Sequence, residues 1–227
     1  SFFHFLTVAD YLETDPSELL EGPKIGFKIP EVLTVEEIDR IISAVDMDKK
    51  EGQRNRAILE TLYSCGLRVS ELCNLKLSDL YFEEGFIKVE GKGSKQRLVP
   101  ISPRAIKEIK YWLTDRNLGK IKKGYEDYVF LARWGNNISR IMVFHMIKEL
   151  AEKTGITKNI SPHTFRHSFA THLLEGGANL RAIQCMLGHE SIATTEIYTH
   201  IDRNMLRSEI IEHHPRNIKY RKERGIY

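Results

Sequence analysis

Ser161-Pro162-His163-Thr164-Phe165-Arg166-His167 is the stretch on which the reading of this chain turns. A serine side chain can take one of the unpaired N–H groups at a helix start, and the fixed φ of proline suits the first helical position. The apolar pattern carries this helix through Leu174 to a stop at Gly176-Gly177. His163 and Arg166 are three residues apart and share a face, in the first turns, where free N–H groups and the helix dipole favour an anion. The pair is therefore a candidate phosphate cradle. Taken alone the signal is weak, since a histidine near a helix start is more often a structural hydrogen-bonding residue. A metal held by His163, His167 and His172 is disfavoured, because there is no H-E-x-x-H and no carboxylate at ligand spacing.

Downstream, Asn179 can cap a helix that runs through Leu187 and is closed by Gly188, and Ser191 can cap a further one that carries Tyr198. Upstream, Thr34 with Glu37 three residues later is a capping-box start for a helix to about Val45. Gln53 to Cys65 places Ile58, Leu59, Leu62 and Tyr63 on one face, and Gly66 is set to end that helix. Val69 to Leu75 reads as a short helix. Phe86 to Val89 and Arg97 to Ile101 are β-rich runs around Gly91-Lys92-Gly93-Ser94-Lys95-Gln96, which predicts a hairpin with Lys92 near its tip. Helices are expected over Arg104 to Asp115 and Arg140 to Lys153, with a short strand over Val129 to Ala132. Phe2 to Leu12 has helical spacing, followed by a linker with Gly22, Pro23, Gly26 and Pro30. The pattern predicts a mostly α fold with a small β-sheet, of α+β class.

With 227 residues and 41% hydrophobic residues the chain can bury one sizeable core. A net charge of +3 permits a nucleic-acid partner without demanding one. The distribution says more: Lys92, Lys95, Arg97, Arg104 and Lys107 fall in a stretch without an acid, and Arg216, Lys219, Arg221, Lys222 and Arg224 crowd the tail against Glu223. Either run suits a solvated surface, and together they favour a phosphate-binding face. Cys65, Cys73 and Cys185 lack zinc-site spacing and read as reduced thiols of a cytoplasmic protein. No apolar run is long enough for a bilayer and no signal segment leads the chain, which argues against membrane or secretory roles. A first residue of Ser points to a trimmed or processed chain.

Taken together, Gly66-Leu67-Arg68-Val69-Ser70-Glu71-Leu72, the Lys92 hairpin, His163 to His167, Leu187-Gly188-His189 and Ile197-Tyr198-Thr199-His200 resemble the signature segments of the tyrosine site-specific recombinases, in the family's order and spacing. Bacterial Xer-type recombinases and related integrases are the best match, and the resemblance runs from Leu33 to Pro215. It implies a catalytic domain over 34–214, preceded by a linker at 23–33 and, at 1–22, the last helix of a largely missing N-terminal core-binding domain. A basic tail occupies 215–227. In the family, the two domains close as a clamp on DNA.

The resemblance also implies roles. Arg68 and Arg166 match the arginine pair that grips the scissile phosphate, where a planar guanidinium can give two parallel bonds. Lys92 matches the general acid for the departing 5′ oxygen. His163 and His189 match phosphate-binding histidines, with His163 also a candidate for moving the tyrosine proton, and Tyr198 matches the nucleophile. The implied reaction is exchange of one phosphoester for another, with a 3′-phosphotyrosyl intermediate and a Holliday junction, and with no metal, ATP or other cofactor. Implied partners are double-stranded DNA with a specific site and further recombinase subunits, up to a tetramer, joined through the C-terminal helix around Met205 to Ile211. A second recombinase or a DNA translocase is a further candidate. The implied task is chromosome dimer resolution or a related integrase role. Two rival readings are a non-catalytic helix-turn-helix protein built on Asn179 to His200 and a type IB topoisomerase.

Overall fold

Eleven of the fourteen residues of one helix, Gly52–Cys65, are buried, and the rest of the fold is arranged around it. The sequence predicts one apolar face there. Instead Glu60, Thr61 and Ser64 are also fully buried, which is the condition of a helix enclosed on all sides. The computed structural model describes residues 2–14, 16, 31–91, 95–188 and 203–223. In chain order the helices are α1 (Phe2–Val8), α2 (Val35–Ser43), α3 (Gly52–Cys65), α4 (Val69–Cys73), α5 (Pro103–Leu118), α6 (Arg140–Lys153), α7 (Pro162–Glu175), α8 (Leu180–Leu187), α9 (Arg203–His213) and α10 (Pro215–Glu223). The strands are β1 (Leu80–Tyr81), β2 (Phe86–Glu90) and β3 (Gln96–Pro100).

The expected hairpin belongs to a three-stranded antiparallel sheet with β2 in the middle. Val89 lies opposite Arg97 and Ile87 opposite Val99. The third strand, β1, is too short to show any alternation in the sequence. Most caps form as the sequence predicts: the Glu37 N–H donates to the Thr34 hydroxyl while the Thr34 N–H donates to the Glu37 carboxylate, and Gly66 and Gly188 end α3 and α8 in the left-handed region, at φ 58° and 65°. At Gly66 the space is as decisive as the angle, because a Cβ there would lie 2.4 Å from the Phe169 ring.

Three expectations are corrected. The helix predicted to reach Leu12 ends at Val8, where Asp10 adopts φ 57°. Val129 to Ala132 is no strand of a sheet. It is a bridging segment whose Val129 N–H donates to Leu75 and whose Phe130 carbonyl accepts from Ile138, both at 2.9 Å. Those bonds satisfy the backbone of a segment buried from Val129 to Leu131. Finally, part of the basic tail turns inward: α10 packs on α5 and α9, and Arg216, only 2% exposed, meets Asp39 at 2.5 Å and Glu60 at 3.2 Å, while Lys219 and Lys222 stay exposed. Lys219 pairs with Asp39 as well. These acids absorb part of the charge that the sequence assigned to a phosphate-binding face.

Leu206 and Ile210 of α9 are buried at 5% and 1% against the chain's own α7, α8 and β3. The loop after α9 is held by His214, which is fully buried, donates from Nε2 to the Tyr63 carbonyl and accepts the Arg216 N–H at Nδ1. Among the described residues no helix is long and apolar enough to cross a membrane.

Candidate active site

α8 ends beside three guanidiniums. The last carbonyls of a helix have no partner within it and carry the negative end of its dipole, and here three in succession are capped by arginine. Met186 accepts from Arg97 Nε at 2.8 Å, Leu187 from Arg166 Nη2 at 2.6 Å, and Gly188 from Arg68 Nη2 at 3.3 Å. The arginines come from β3, from α7 and from the residue that caps α4. The Arg166 Nη1 also donates to the Gly66 carbonyl at 2.7 Å, so one side chain ties the ends of α3 and α8 together.

One carboxylate serves this cluster. Glu71 Oε1 accepts from Arg97 Nη1 at 2.7 Å and from Arg68 Nη1 at 2.9 Å, while Oε2 accepts from Arg97 Nη2 and the Arg68 backbone N–H, both at 2.9 Å. Burial works to raise the Glu71 pKa, but the Arg97 and Arg68 bonds outweigh it and hold the carboxyl below its ordinary value. Arg166 is pushed down to about 10, first by burial and then by the charges of Arg68 and Arg97. A single carboxylate among three guanidiniums leaves the group positive, a state that an oxyanion relieves.

Access differs among the three. The Arg68 side chain is 42% exposed and the Arg97 side chain 5%, so Arg68 can meet a ligand while Arg97 is sealed inside. A cleft of about 610 Å³ starts at Arg68 and runs between α4 and the β2–β3 hairpin past Lys76, Lys88, Gly91 and Gln96. His163 is exposed in the first turn of α7, one turn before the buried Arg166. Lys92, His189 and Tyr198 lie outside the described residues. The segments that lead to them are described: Gly91 and Lys95 close the base of the hairpin with a 2.8 Å backbone bond, and Gly188 immediately precedes His189.

Sequence reasoning brought Arg68, Arg166 and His163 to one region but missed Glu71 and Arg97. Glu71 had a signal, since an acid three residues after Arg68 shares its face. Arg97 had a fainter one: it alternates in phase with Val99 and Ile101, and so falls on the inward face of β3, where an arginine needs a buried acceptor.

A model of the phage integrase family matches residues 31–205, and the chain belongs to that family, the tyrosine recombinases. Within it the similarity is to the Xer type. Tyrosine recombinase XerD of Staphylococcus saprophyticus is 43% identical over 216 residues, covering 95% of this chain and 73% of the relative. The crystal structure of XerA recombinase matches with a TM-score of 0.66 at 36% identity, over 83% of this chain and 66% of that one. The structure of XerH bound to its difH substrate in a pre-cleavage complex matches with a TM-score of 0.64 at 30% identity, over 77% and 51%. The resemblance to the family and the mostly helical fold with one small sheet are thus borne out.

Proposed function

We propose that this chain carries the catalytic domain of a site-specific DNA recombinase, over 34–214, with 1–22 as the last helix of a core-binding domain, 23–33 as linker and 215–227 as a C-terminal extension. The observation that supports this reading most directly is the convergence of Arg68, Arg166 and Arg97 on the end of α8 with Glu71 as their shared carboxylate. Arg68 and Arg166 hold the two non-bridging oxygens of a scissile phosphate, where charge concentrates in the pentacoordinate transition state. The Tyr198 oxygen attacks phosphorus as the bond to the 5′ oxygen breaks, which leaves a 3′-phosphotyrosyl link. His163 accepts the phenol proton, Lys92 protonates the leaving oxygen, and His189 hydrogen-bonds the phosphate. A 5′ hydroxyl from the partner strand then reverses the step, so that one phosphoester replaces another without ATP, and two rounds pass through a Holliday junction.

The partner is double-stranded DNA, a reading supported by the substrate-bound complex of XerH, and the working unit is a tetramer on DNA. In that unit Met205 to Ile211 leaves its own domain for a neighbour's groove, where Leu206 and Ile210 take the place of the neighbour's own pair. A second recombinase or a DNA translocase completes the set of partners. The task is chromosome dimer resolution or a related integrase role, in the cytoplasm, in keeping with the similarity to a recombinase of the Xer type.

The deciding experiment uses a nicked duplex whose sequence the protein has itself selected from a random-core library. Cleavage beside the nick releases a short fragment and traps the covalent complex on a denaturing gel. The complex should form with the wild type and vanish in Tyr198→Phe. Binding without a covalent complex would instead favour the helix-turn-helix reading. Relaxation of one supercoiled circle with no exchange between two marked duplexes would favour a topoisomerase.

A further inference from the structure

Arg97 reaches no surface from which it could touch DNA, yet it spends all three of its donor nitrogens on the elements that surround the site. Nε caps Met186 at the end of α8, and Nη1 and Nη2 take both oxygens of Glu71. One glycine, Gly188, makes room for it, and another, Gly91, lies against it. A Cβ on Gly188 would lie 3.2 Å from its Cδ and Nε, and one on Gly91 would lie 3.6 Å from its Nη1. Gly188 leads to His189 and Gly91 to Lys92, so this side chain sits where the α8 end, the hairpin base and the α4 cap meet.

We infer that Arg97 is a positioning residue for phosphate chemistry: by occupying both oxygens of Glu71 it stops that carboxylate from closing on Arg68 as a two-bond pair, and so keeps the Arg68 guanidinium free for the scissile phosphate. The geometry carries the point. Arg68 gives Glu71 one side-chain bond, from Nη1, at an oxygen already shared with Arg97. Its Nη2 donates to the Gly188 carbonyl at 3.3 Å, the longest of the three arginine caps on α8. Without Arg97, Glu71 would be a buried carboxylate hydrogen-bonded to Arg68 as its one guanidinium partner, and the side-by-side arrangement of carboxylate and guanidinium is the favoured one. Arg68 would then be drawn inward and partly neutralised. Lysine at 97 could supply charge but not three bonds in a plane, so it would hold Glu71 at one oxygen only.

This inference rests on the recombinase reading, and the test separates the two. Single-turnover cleavage is measured on the selected nicked duplex and on the same duplex with a methylphosphonate at the scissile position, which removes the non-bridging charge that Arg68 meets. Arg97→Gln and Arg97→Lys should bind the duplex within about threefold of wild type and melt cooperatively, yet cleave the phosphodiester slower by on the order of 100-fold, the scale of a misplaced catalytic group. On the methylphosphonate their deficit relative to wild type should shrink at least tenfold. An equal deficit on both substrates, or phosphodiester cleavage within threefold of wild type, overturns the inference and leaves the recombinase reading intact. If Arg97→Gln fails to fold, Arg97→Lys gives the same comparison. Wild-type protein that binds the duplex and never forms the covalent complex overturns both.

Discussion

Arg166 donates to the carbonyl of Leu187 at 2.6 Å while its other terminal nitrogen donates to Gly66 at 2.7 Å. The residue assigned to the phosphate therefore also joins two helix ends, and its guanidinium keeps further N–H groups for a ligand. Arg166→Lys retains the charge but can span only one carbonyl. It should lower the cleavage rate on the nicked duplex by at least about 100-fold, in line with loss of a preorganised oxyanion donor. It should also lower the melting temperature, because a buried carbonyl is left without a partner.

Gly66, which ends a helix near the site, should respond differently from a glycine that follows a helix elsewhere. Gly66→Ala places a Cβ 2.4 Å from Phe169 at φ 58°, combining a left-handed backbone with overpacking, at a cost of about 2–5 kcal/mol. Gly155→Ala has a similar φ of 68° with open space around it and should cost only about 1 kcal/mol. Chemical denaturation of the two variants should rank them in that order.

Arg216 is buried between Asp39 and Glu60. Burial raises the Glu60 pKa even with Arg216 and Arg104 nearby, so this acid depends on its cations. Arg216→Ala should destabilise the protein by about 3–5 kcal/mol, the usual result of removing one partner of a buried ion pair. The double variant Arg216→Met with Glu60→Gln should recover part of that loss. Thermal melts of the single and double variants measure both, and equal melting of wild type and Arg216→Ala would show that α10 is only loosely attached.

His214 is held neutral, its pKa pushed down to about 3 mainly by burial, and burial lowers His172 in the same direction. Such a group takes up a proton on unfolding but not in the fold. Its contribution is therefore complete above the ordinary value of 6.5 and is lost as pH falls from there towards 3. The slope is about 1.4 kcal/mol per pH unit for each such group. Unfolding free energies at pH 7, 6 and 5 should fall accordingly, and His214→Gln, which keeps a donor for the Tyr63 carbonyl, should fall less steeply.

Much of this protein was legible in order along the chain. The Thr34 and Ser161 starts, the glycines at 66 and 188, the hairpin around Lys92 and the three-residue spacing of His163 and Arg166 are local features, fixed by backbone preference and by periods of two or 3.6 residues. Such signals survive in a bare sequence because the residues responsible are neighbours. The ends of α1 and α5 were less legible: the Asp10 turn stops α1 early, and Ser102-Pro103 starts α5 one residue sooner than expected.

What only the tertiary structure decided involves partners far apart in sequence. Arg97 finds Glu71 from 26 residues away and Met186 from 89, and Arg216 of the supposedly exposed tail finds Glu60 beneath it. A local pattern can set a charged residue on an inward face, as for Arg97, but it does not name the partner, and the cost of removing the charge from water depends on whether an acceptor is waiting there. Composition thus placed the positive charge of this chain on the surface, and folding moved part of it inside, where it braces the site from behind.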